Sequence, residues 1–368
     1  MRLVFTSYAA APSFRDPQAW LQRIEGYTGI LAALAETHEV FAIERIDYAG
    51  ELEQQGVRYI FCRQVRPTVL IPRTIHREIR RIQPDVVFIN GFIFPLQLLQ
   101  LRRSVGPSVK IIVINRSEQP GTGYRKWLQR RAARITDAFL FPSMAAGRKW
   151  VEQGIIDREE KIYEVFHGSS VFSKMDKQQS REQTGIHAAI AWLWVGRLDA
   201  NKDPLTVLRA FTRLRQADKR PQLYMIFHEA PLLQEVKAFI AAQPELENAV
   251  HLVGFVPHAA LQHWFSAADF FVAASHYEGG GIAALEAISA GVVPLLSAID
   301  SFRVLTGNGN CGYLFPPGDS VALALLMEEA MAGNYSRLQE RMVQHYCDNL
   351  SFTAIAGKIN ALLAQPAG

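Results

Sequence analysis

Three consecutive glycines, Gly279, Gly280 and Gly281, precede a predicted helix in the segment HYEGGGIAALEAISAGVVPLL. Glycines let a backbone approach a ligand closely, because no Cβ atoms stand in the way. A helix that begins behind such a turn presents free N–H groups, and these bind anions such as phosphate. Two carboxylates flank the turn: Glu278 lies directly before it, and Glu286 lies about one turn inside the helix. The pattern predicts a phosphate site with hydroxyl-binding carboxylates beside it.

The predicted helix covers Ile282–Ala290 and is followed by Gly291, which is typical of a C-terminal cap. From inside this helix, the Glu286 carboxylate would accept hydrogen bonds from vicinal hydroxyls such as those of a ribose. Glu278 would lie near a sugar held at the turn. Glycines before a helix are common in proteins, so this interpretation needs support from a second segment.

That second segment, WLWVGRLDANKDPLTVLRAF, joins a buried strand to another predicted helix. Pro204 suits the first helical turn, and Asp203 is a good N-cap. Arg197 and Lys202 flank the loop that leaves the strand, and open α/β sheets bind ligands at this end of their strands. Two cations there would stabilise the charge that develops on a departing diphosphate. Either cation taken alone would more often be a solvated loop residue.

Short apolar runs alternate with helical patterns along the chain, which indicates an α/β fold with parallel sheets. The strand candidates of the first half are Arg2–Thr6, Glu39–Ile43, Val57–Phe61, Val86–Ile89, Lys110–Ile114 and Ala138–Phe141. Those of the second half are Ala191–Val195, Gln222–Ile226, Val250–Leu252, Phe270–Ala273, Val292–Leu295 and Gly312–Phe315. Helical patterns between them include Pro204–Arg215, Leu232–Ala242 and Val321–Ala332.

The chain has 368 residues, of which 49% are hydrophobic and 20% charged, as expected for a globular protein of two domains. The polar stretch SKMDKQQSREQTGIH places the join near residues 173–188. We therefore predict an N-terminal domain over residues 1–175 and a C-terminal domain over residues 176–350. Residues 351–368 contain an amphipathic segment, Ser351–Ala364, which would form a C-terminal helix that crosses back to the first domain.

Positive charge is concentrated in the first half of the chain. Residues 1–180 hold 26 Lys/Arg and 18 Asp/Glu, a balance of +8, whereas the whole chain has a net charge of +4. The segment YRKWLQRRAARI, Tyr124–Ile135, is a basic helix candidate with interleaved apolar residues. Such a helix favours peripheral contact with an anionic membrane surface, and a solvated helix face is the alternative. We expect no nucleic-acid partner.

Three widely spaced cysteines, Cys62, Cys311 and Cys347, favour neither a disulfide framework nor a zinc site. The N-terminal segment lacks the long apolar stretch of a signal peptide, and no stretch approaches the roughly 20 apolar residues of a membrane span. We expect no metal and a cytoplasmic protein, with the inner face of the membrane as the place of any peripheral contact.

Taken together, the motifs GRL-x3-K (Gly196 to Lys202) and E-GGG-I-x3-E (Glu278 to Glu286) resemble the retaining glycosyltransferases of family 4, the glycosyl transferases group 1. The run HLVGFVPHAALQHWFSAADFFVAASHYEGGG is similar to that family too, and the likeness covers about residues 190–320. The resemblance implies the GT-B fold, in which two Rossmann-like parallel-sheet domains face each other across a cleft.

The resemblance also implies a donor site for a nucleotide-sugar. The loop from Gly196 to Lys202 would bind the diphosphate through Gly196, Arg197 and Lys202. A separate loop, Gly254, Phe255 and Val256, would contact the nucleobase. The glycine turn, together with Ile282 and Leu285, would line the diphosphate and sugar. Glu286 would hold the ribose, and Glu278 would contact the donor sugar near the reacting carbon.

The implied reaction moves a hexose from a UDP- or GDP-linked donor to a hydroxyl of a glycan, a lipid-linked or a small-molecule acceptor. It retains the anomeric configuration by front-face substitution, in which the leaving phosphate helps to deprotonate the acceptor. Neither a metal nor another cofactor is required, because protein cations and a helix dipole stabilise the leaving group.

The N-terminal half departs from the family. Asn115 and Arg116 follow Lys110–Ile114, where members of the family often have a histidine near the donor sugar. Arg116 cannot be a general base at neutral pH, and it would bind a phosphate or carboxylate instead. The stretch YEVFHGSSVF resembles the family's turn before the interdomain crossover, which makes Gly168 and Ser169 weaker candidates for the donor site.

Several rival functions fit less well. In one helix Glu278 and Glu286 would lie about 12 Å apart, too far for the paired carboxylates of a glycoside hydrolase. The first strand is not followed by GxGxxG, which argues against a dinucleotide-dependent dehydrogenase. Three alternatives stay open. Two are enzymes of the same fold, a sugar-nucleotide epimerase and a phosphorylase. The third is a catalytically silent nucleotide-sugar-binding subunit, which the Asn115–Arg116 pair favours.

Overall fold

A computed structural model of the chain describes residues 1–64, 70–116, 118–333 and 336–365. Its residues form two compact units. Unit 1 comprises Met1–Ser169 and Phe352–Gly368, and unit 2 comprises Ser170–Ser351. The boundary between them therefore lies six residues before the one expected from the sequence.

Unit 1 is built on an eight-stranded sheet in the order β3-β4-β2-β1-β5-β6-β7-β8. Its strands are β1 (Arg2–Ser7), β2 (Glu39–Glu44), β3 (Gly50–Gln54), β4 (Val57–Phe61), β5 (Val86–Asn90), β6 (Lys110–Ile114), β7 (Ala138–Phe141) and β8 (Ile162–Glu164). All neighbours pair in parallel except β3 and β4, which form an antiparallel edge pair. The central strands β1 and β5 are almost wholly buried, as parallel strands covered by helices on both faces must be.

Six helices of unit 1 lie between these strands: α1 (Pro17–Arg23), α2 (Glu25–Ala35), α3 (Arg73–Ile82), α4 (Pro95–Val105), α5 (Gly123–Arg134) and α6 (Met144–Glu152). Local chemistry fixes where several begin. Asp16 caps α1, whose first residue is a proline, and Ser143 caps α6 by accepting a hydrogen bond from the Ala146 amide. Helices α3, α4 and α5 pack side by side as one layer.

Unit 2 is built on a six-stranded, all-parallel sheet in the order β11-β10-β9-β12-β13-β14. Its strands are β9 (Ile190–Val195), β10 (Pro221–Ile226), β11 (Val250–Gly254), β12 (Phe270–Ala273), β13 (Val293–Ser297) and β14 (Tyr313–Phe315). The strand order reverses between β9 and β12, so the chain continues from these two neighbouring strands towards opposite faces of the sheet. A ligand crevice is expected at this point of an open α/β sheet.

The helices of unit 2 are α7 (Lys177–Thr184), α8 (Pro204–Ala217), α9 (Leu233–Ala241), α10 (His258–Ala267), α11 (Ile282–Ser289), α12 (Asp300–Leu305), α13 (Ser320–Ala332) and α14 (Ser336–His345). As the sequence predicts, Pro204 begins α8, and the Asp203 side chain caps it by accepting a hydrogen bond from the Thr206 amide. A π-helical turn, Tyr346–Leu350, follows α14.

The last helix, α15 (Phe352–Leu363), belongs to unit 1 and packs against α2. The Phe352 ring lies so close to Gly29 that a Cβ at that glycine would meet it at 2.6 Å. His38 and Asn360 join the two segments by a hydrogen bond of 2.9 Å. Within the described ranges, the structure has no helix with the length and apolar character that crossing a bilayer requires.

Candidate functional site

The two loops singled out from the sequence leave neighbouring strands of unit 2. β9 ends at Val195 and delivers Gly196 to Lys202, while β12 ends at Ala273 and delivers Ser275 to the glycine turn. Because β9 and β12 pair in parallel, both loops emerge from the same edge of the sheet, where the strand order reverses. The topology therefore brings the predicted cations and the glycine turn together.

Lys202 and Glu278 form an ion pair at this edge. The Lys202 ammonium donates to Glu278 Oε1, and the Ser275 hydroxyl donates to the same oxygen at 2.7 Å. The side chains of Lys202 and Glu278 are only 21% and 13% exposed, so the pair is partly withdrawn from water. Beside it lies a cavity of about 20 Å³, which Gly281 and Phe302 also line and which has room for about one water molecule.

Gly281 is the N-cap residue directly before helix α11 and has a left-handed conformation, with φ of +60°. A Cβ there would lie 2.7 Å from the Phe302 ring, so only glycine fits without rearrangement. Glycine has no side chain with which to cap the helix, and the first N–H groups of a helix have no partners within it. The start of α11 therefore has the geometry of an anion site, next to the Lys202–Glu278 pair.

Arg197, the second predicted cation, is half-exposed and paired with carboxylates. Its Nε lies 3.1 Å from Asp199 Oδ2, and one terminal nitrogen lies 3.7 Å from Glu229 Oε2. Exposed pairs of this kind contribute little stability. A bound diphosphate would therefore compete for this guanidinium at low cost.

Glu286 lies in the second turn of α11 and is buried. Its Oε1 lies 2.6 Å from Nε2 of His258, the first residue of α10. The His258 ring in turn stacks on Phe172, with ring centroids 4.9 Å apart. The structure therefore provides the predicted ribose-binding carboxylate with an imidazole partner that orients it.

The predicted nucleobase loop begins at Gly254, the last residue of β11. Gly254 has φ of +81°, which explains a glycine at this position. The Phe255 side chain is 72% exposed, an unusual exposure for a large aromatic ring and one that suits stacking on a base. Val256 is partly exposed in the same loop.

Two residues of the predicted donor site differ sharply in accessibility. Ile282 is half-exposed at the start of α11. Leu285 has no exposed surface, and its amide donates to the Gly281 carbonyl inside the helix. The Leu285 side chain therefore belongs to the core of unit 2, and its place in the donor site stays a prediction.

A separate pocket of about 240 Å³ lies in unit 1, at the ends of β1, β2, β5 and β6. Arg116 lines it; the Arg116 guanidinium lies 5.9 Å from the centre of the Tyr27 ring, and its amide donates to Glu118. Glu44 also lines the pocket and accepts a hydrogen bond of 2.9 Å from the Trp20 indole. Burial raises the pKa of Glu44 to about 7, although the Trp20 hydrogen bond and the Arg116 charge oppose the shift.

This pocket carries an unsatisfied acceptor. Asn90 is 9% exposed; its amide nitrogen donates to the Tyr27 hydroxyl at 2.9 Å, whereas its Oδ1 has no hydrogen-bond partner. Buried polar atoms without partners are costly, so a ligand that donates a hydrogen bond would satisfy Asn90. The sequence predicted Arg116 alone from this pocket.

Gly168 and Ser169, the weaker candidates, lie in unit 1 against α2. The Ser169 amide donates to the Gly26 carbonyl at 2.7 Å, and a Cβ at Gly168 would lie 3.4 Å from that oxygen. A contact at 3.4 Å is ordinary, so packing against α2 does not by itself require a glycine at position 168. Their place in the donor site stays a prediction.

Sequence reasoning did not identify Ser275, His258, Glu44 or Asn90. Ser275 stands three residues before Glu278, a spacing that was visible in the sequence. His258 and Glu44 become neighbours of other site residues only through sheet and helix packing, so no local signal marks them. Among the described residues, no cluster of three or more His, Cys, Asp or Glu side chains is arranged to hold a metal ion.

Residues 176–345 match the family model described as "Glycosyl transferases group 1". A GDP-mannose:cellobiosyl-diphosphopolyprenol alpha-mannosyltransferase from Xanthomonas oryzae is 29% identical over 140 residues, which cover 38% of this chain and 37% of that protein. A D-inositol 3-phosphate glycosyltransferase from Kribbella flavida is 26% identical over 185 residues, 48% of this chain and 44% of that protein. The matches thus span less than half the length of these curated relatives.

Solved structures match over nearly the whole chain. Sucrose-phosphate synthase from Thermosynechococcus elongatus superposes with a TM-score of 0.70 at 18% identity, covering 98% of both chains. Anabaena Alr3699/HepE in complex with UDP superposes with a TM-score of 0.72 at 14% identity, covering 99% of this chain and 100% of the other. At such identities the likeness shows the fold, and that fold is GT-B, as the sequence motifs implied.

Proposed function

We propose that this chain is a retaining, metal-independent glycosyltransferase of the glycosyl transferases group 1, because residues 176–345 match the model of that family. It transfers a hexose from a UDP- or GDP-linked donor to a hydroxyl of a glycan, a lipid-linked or a small-molecule acceptor. Unit 2 binds the donor.

The observation that carries this proposal is the position of the Lys202–Glu278 pair beside the uncapped start of α11. A diphosphate at the helix start competes with Glu278 for the Lys202 ammonium. The Glu278 carboxylate then accepts hydrogen bonds from the donor-sugar hydroxyls. As the sugar–phosphate bond breaks, Lys202, Arg197 and the helix N–H groups stabilise the charge on the leaving diphosphate.

Two comparisons support a nucleotide-sugar donor. One relative is named for GDP-mannose, and one structural neighbour was solved with UDP. The name of the first relative also contains a diphosphopolyprenol acceptor, which supports a lipid-linked acceptor for this chain. In this proposal the protein acts in the cytoplasm, and its basic unit 1 makes peripheral contact with the inner face of a membrane.

The pocket of unit 1 is the acceptor site in this proposal. Its mixed lining supports a polyhydroxylated acceptor group: Asn90 Oδ1 and Glu44 accept hydrogen bonds, while Arg116 donates them. Arg116 stays positively charged throughout, so the acceptor proton passes to the leaving phosphate of the donor and not to this residue.

A second candidate function is a silent nucleotide-sugar-binding subunit. Arg116 favours this second function, because an arginine side chain does not exchange protons near neutral pH. His167, another side chain near Arg116, has its pKa lowered to about 3 by burial and by the Arg116 charge, so it stays neutral.

Turnover separates the two candidates. The test measures release of free UDP or GDP from a panel of nucleotide-sugars, with and without acceptors, in the presence of EDTA. Thermal shift with UDP, GDP and ADP identifies the preferred nucleotide, since a bound ligand raises the melting temperature. Acceptor-dependent release in EDTA supports the proposed enzyme. Saturable binding without turnover supports the silent subunit, and absence of both binding and turnover refutes the donor site.

A further inference from the structure

One helical layer of unit 1 is strongly basic. Helices α3, α4 and α5 pack side by side, α3 against α4 and α4 against α5. Together the three helices contain eleven Lys/Arg residues and one acidic residue, Glu78. Helix α5 alone contributes five: Arg125, Lys126, Arg130, Arg131 and Arg134. The excess charge of unit 1 is therefore concentrated on one side of its sheet.

Much of this charge is not neutralised internally. Arg77 and Arg81 pair with Glu78, and Arg102 is tied to Asp137 and to backbone carbonyls. By contrast, in the part of the chain that the structure describes, no residue of α5 forms an ion pair. The exposed cations of α5 thus create a positive field for an external partner.

Apolar side chains lie exposed at the start of the same helix. Tyr124 and Trp127 are 73% and 45% exposed and stack with ring centroids 5.5 Å apart. The Arg131 guanidinium also lies over the Trp127 ring, 4.4 Å from its centre. Leu70 and Ile71, 68% and 49% exposed, lie in the loop before α3.

These apolar residues adjoin a groove. It has a volume of about 410 Å³, and Leu70, Ile93, Leu96, Tyr124 and Leu128 line it with few polar groups. Exposed aromatic rings beside an open apolar groove mark an interaction surface, since a soluble protein rarely leaves such a patch in water.

We propose that this surface, formed by α5, Leu70 and the groove, docks unit 1 onto an anionic phospholipid bilayer. Tyr124 and Trp127 enter the interface between headgroups and acyl chains, where amphipathic aromatic rings are favoured. The surrounding Arg and Lys side chains bind the lipid phosphates. The inference rests on the peripheral membrane contact of the proposed function and names the surface and the lipid charge that would make it. It can fail without affecting the proposed sugar transfer.

The combination of features selects a bilayer over a soluble polyanion. A nucleic acid or acidic glycan would bind the cations of α5 but would leave Leu70 and the groove in water. A bilayer satisfies both sets at once: its surface charge attracts the cations, each contributing about a fivefold gain in partitioning, and its interior accepts the apolar side chains.

The test is co-sedimentation of the full chain with vesicles of phosphatidylcholine alone or with 30 mol% phosphatidylglycerol, without any nucleotide. We expect binding only to the anionic vesicles. The charge variant Arg125→Gln/Lys126→Gln/Arg131→Gln should lose on the order of 100-fold in partitioning. The apolar variant Tyr124→Ser/Trp127→Ser should lose at least about tenfold.

Arg209→Gln/Arg213→Gln, on exposed positions of α8 in unit 2, is the matched control and should bind like the wild type. Thermal melting checks that every variant is folded. Equal binding to both vesicle types, or no binding at all, overturns the proposal. Binding to heparin, a soluble polyanion, is measured beside binding to vesicles. The proposal also fails if the charge variant loses binding to both while the apolar variant binds vesicles like the wild type, because the partner is then a soluble polyanion.

Discussion

Nε2 of His258 lies 2.6 Å from Oε1 of Glu286, so a half-exposed imidazole at the start of α10 holds a buried carboxylate of α11. The two residues are 28 positions apart in the chain. If Glu286 binds a ribose, the orientation of its carboxylate depends on a residue that belongs to neither of the motifs GRL-x3-K and E-GGG-I-x3-E. His258 is in this view a positioning residue, and its effect should pass through Glu286 alone.

Replacing His258 should weaken binding of ribonucleotides specifically. We expect His258→Leu to raise the Kd of the preferred nucleoside diphosphate about tenfold, the usual effect of losing a hydrogen bond to a charged group. The Kd of the 2′,3′-dideoxy analogue should stay unchanged, and so should the Kd in a Glu286→Gln background. Calorimetric titration measures all three. His187→Leu, at an exposed histidine of unit 2, is the control. Equal losses for the ribo and dideoxy ligands would assign His258 a general structural role.

Removing the Lys202 ammonium should impair the chemical step. We expect Lys202→Ala to lower kcat/KM by about 10²-fold or more, because the leaving diphosphate loses a preorganised cation. The measurement is initial rates of nucleotide release over a range of donor concentrations. Arg209→Ala, which removes an exposed cation of the same unit, serves as the comparison. Wild-type kinetics in the Lys202 variant would contradict the role assigned to this residue.

The stability of the protein should depend on pH through Glu44. An unfolded chain releases this proton near the ordinary pKa of 4.5, whereas the folded protein retains it up to about pH 7. Between these values the folded state binds more protons than the unfolded state, so this group makes the free energy of unfolding fall as pH rises. Glu44→Gln removes this pH-dependent loss of stability, because glutamine does not ionise, and it keeps an acceptor for the Trp20 indole.

Near pH 4.5, Glu44→Gln should melt at the same temperature as the wild type. At pH 8 and above, its melting temperature should be a few degrees higher than that of the wild type. Differential scanning calorimetry from pH 4.5 to 9 measures both proteins. A constant offset between the two curves across this range would show that folding does not raise the pKa of Glu44.

Gly281 should tolerate no side chain. In Gly281→Ala, the left-handed backbone at φ of +60° and the 2.7 Å approach of the new Cβ to Phe302 both cost free energy. We expect a loss of about 2–4 kcal/mol in the free energy of unfolding, from backbone strain and overpacking combined. Urea denaturation measures it. Gly185→Ala is the matched control, since Gly185 has a similar φ of +68° but no atom near its Cβ. Similar losses of unfolding free energy for both variants would show that the contact with Phe302 does not contribute to the effect.

The sequence predicted the regular elements well where apolar patterns were strong. The predicted bounds of the central strands differ from the structure by one or two residues, as for Val86–Ile89 against Val86–Asn90. It missed β3, Gly50–Gln54, because this edge strand alternates between partly and fully exposed residues and has no apolar run. It also missed the three-residue strand β8. The polar join near residues 173–188 contains helix α7, which packs against α10 although it buries only Ser180.

By itself, the sequence determined the α/β class, the glycine turn at residues 279–281 and the loop cations, because these features depend on local backbone geometry and on strand and helix periodicity. Only the tertiary structure decided which side chains meet. It paired Lys202 with Glu278 and His258 with Glu286, enclosed Leu285 in the core, and gathered the basic helices α3, α4 and α5 on one side of a sheet. Such contacts join residues far apart in the chain, and they follow from strand order and helix packing, which no local pattern encodes.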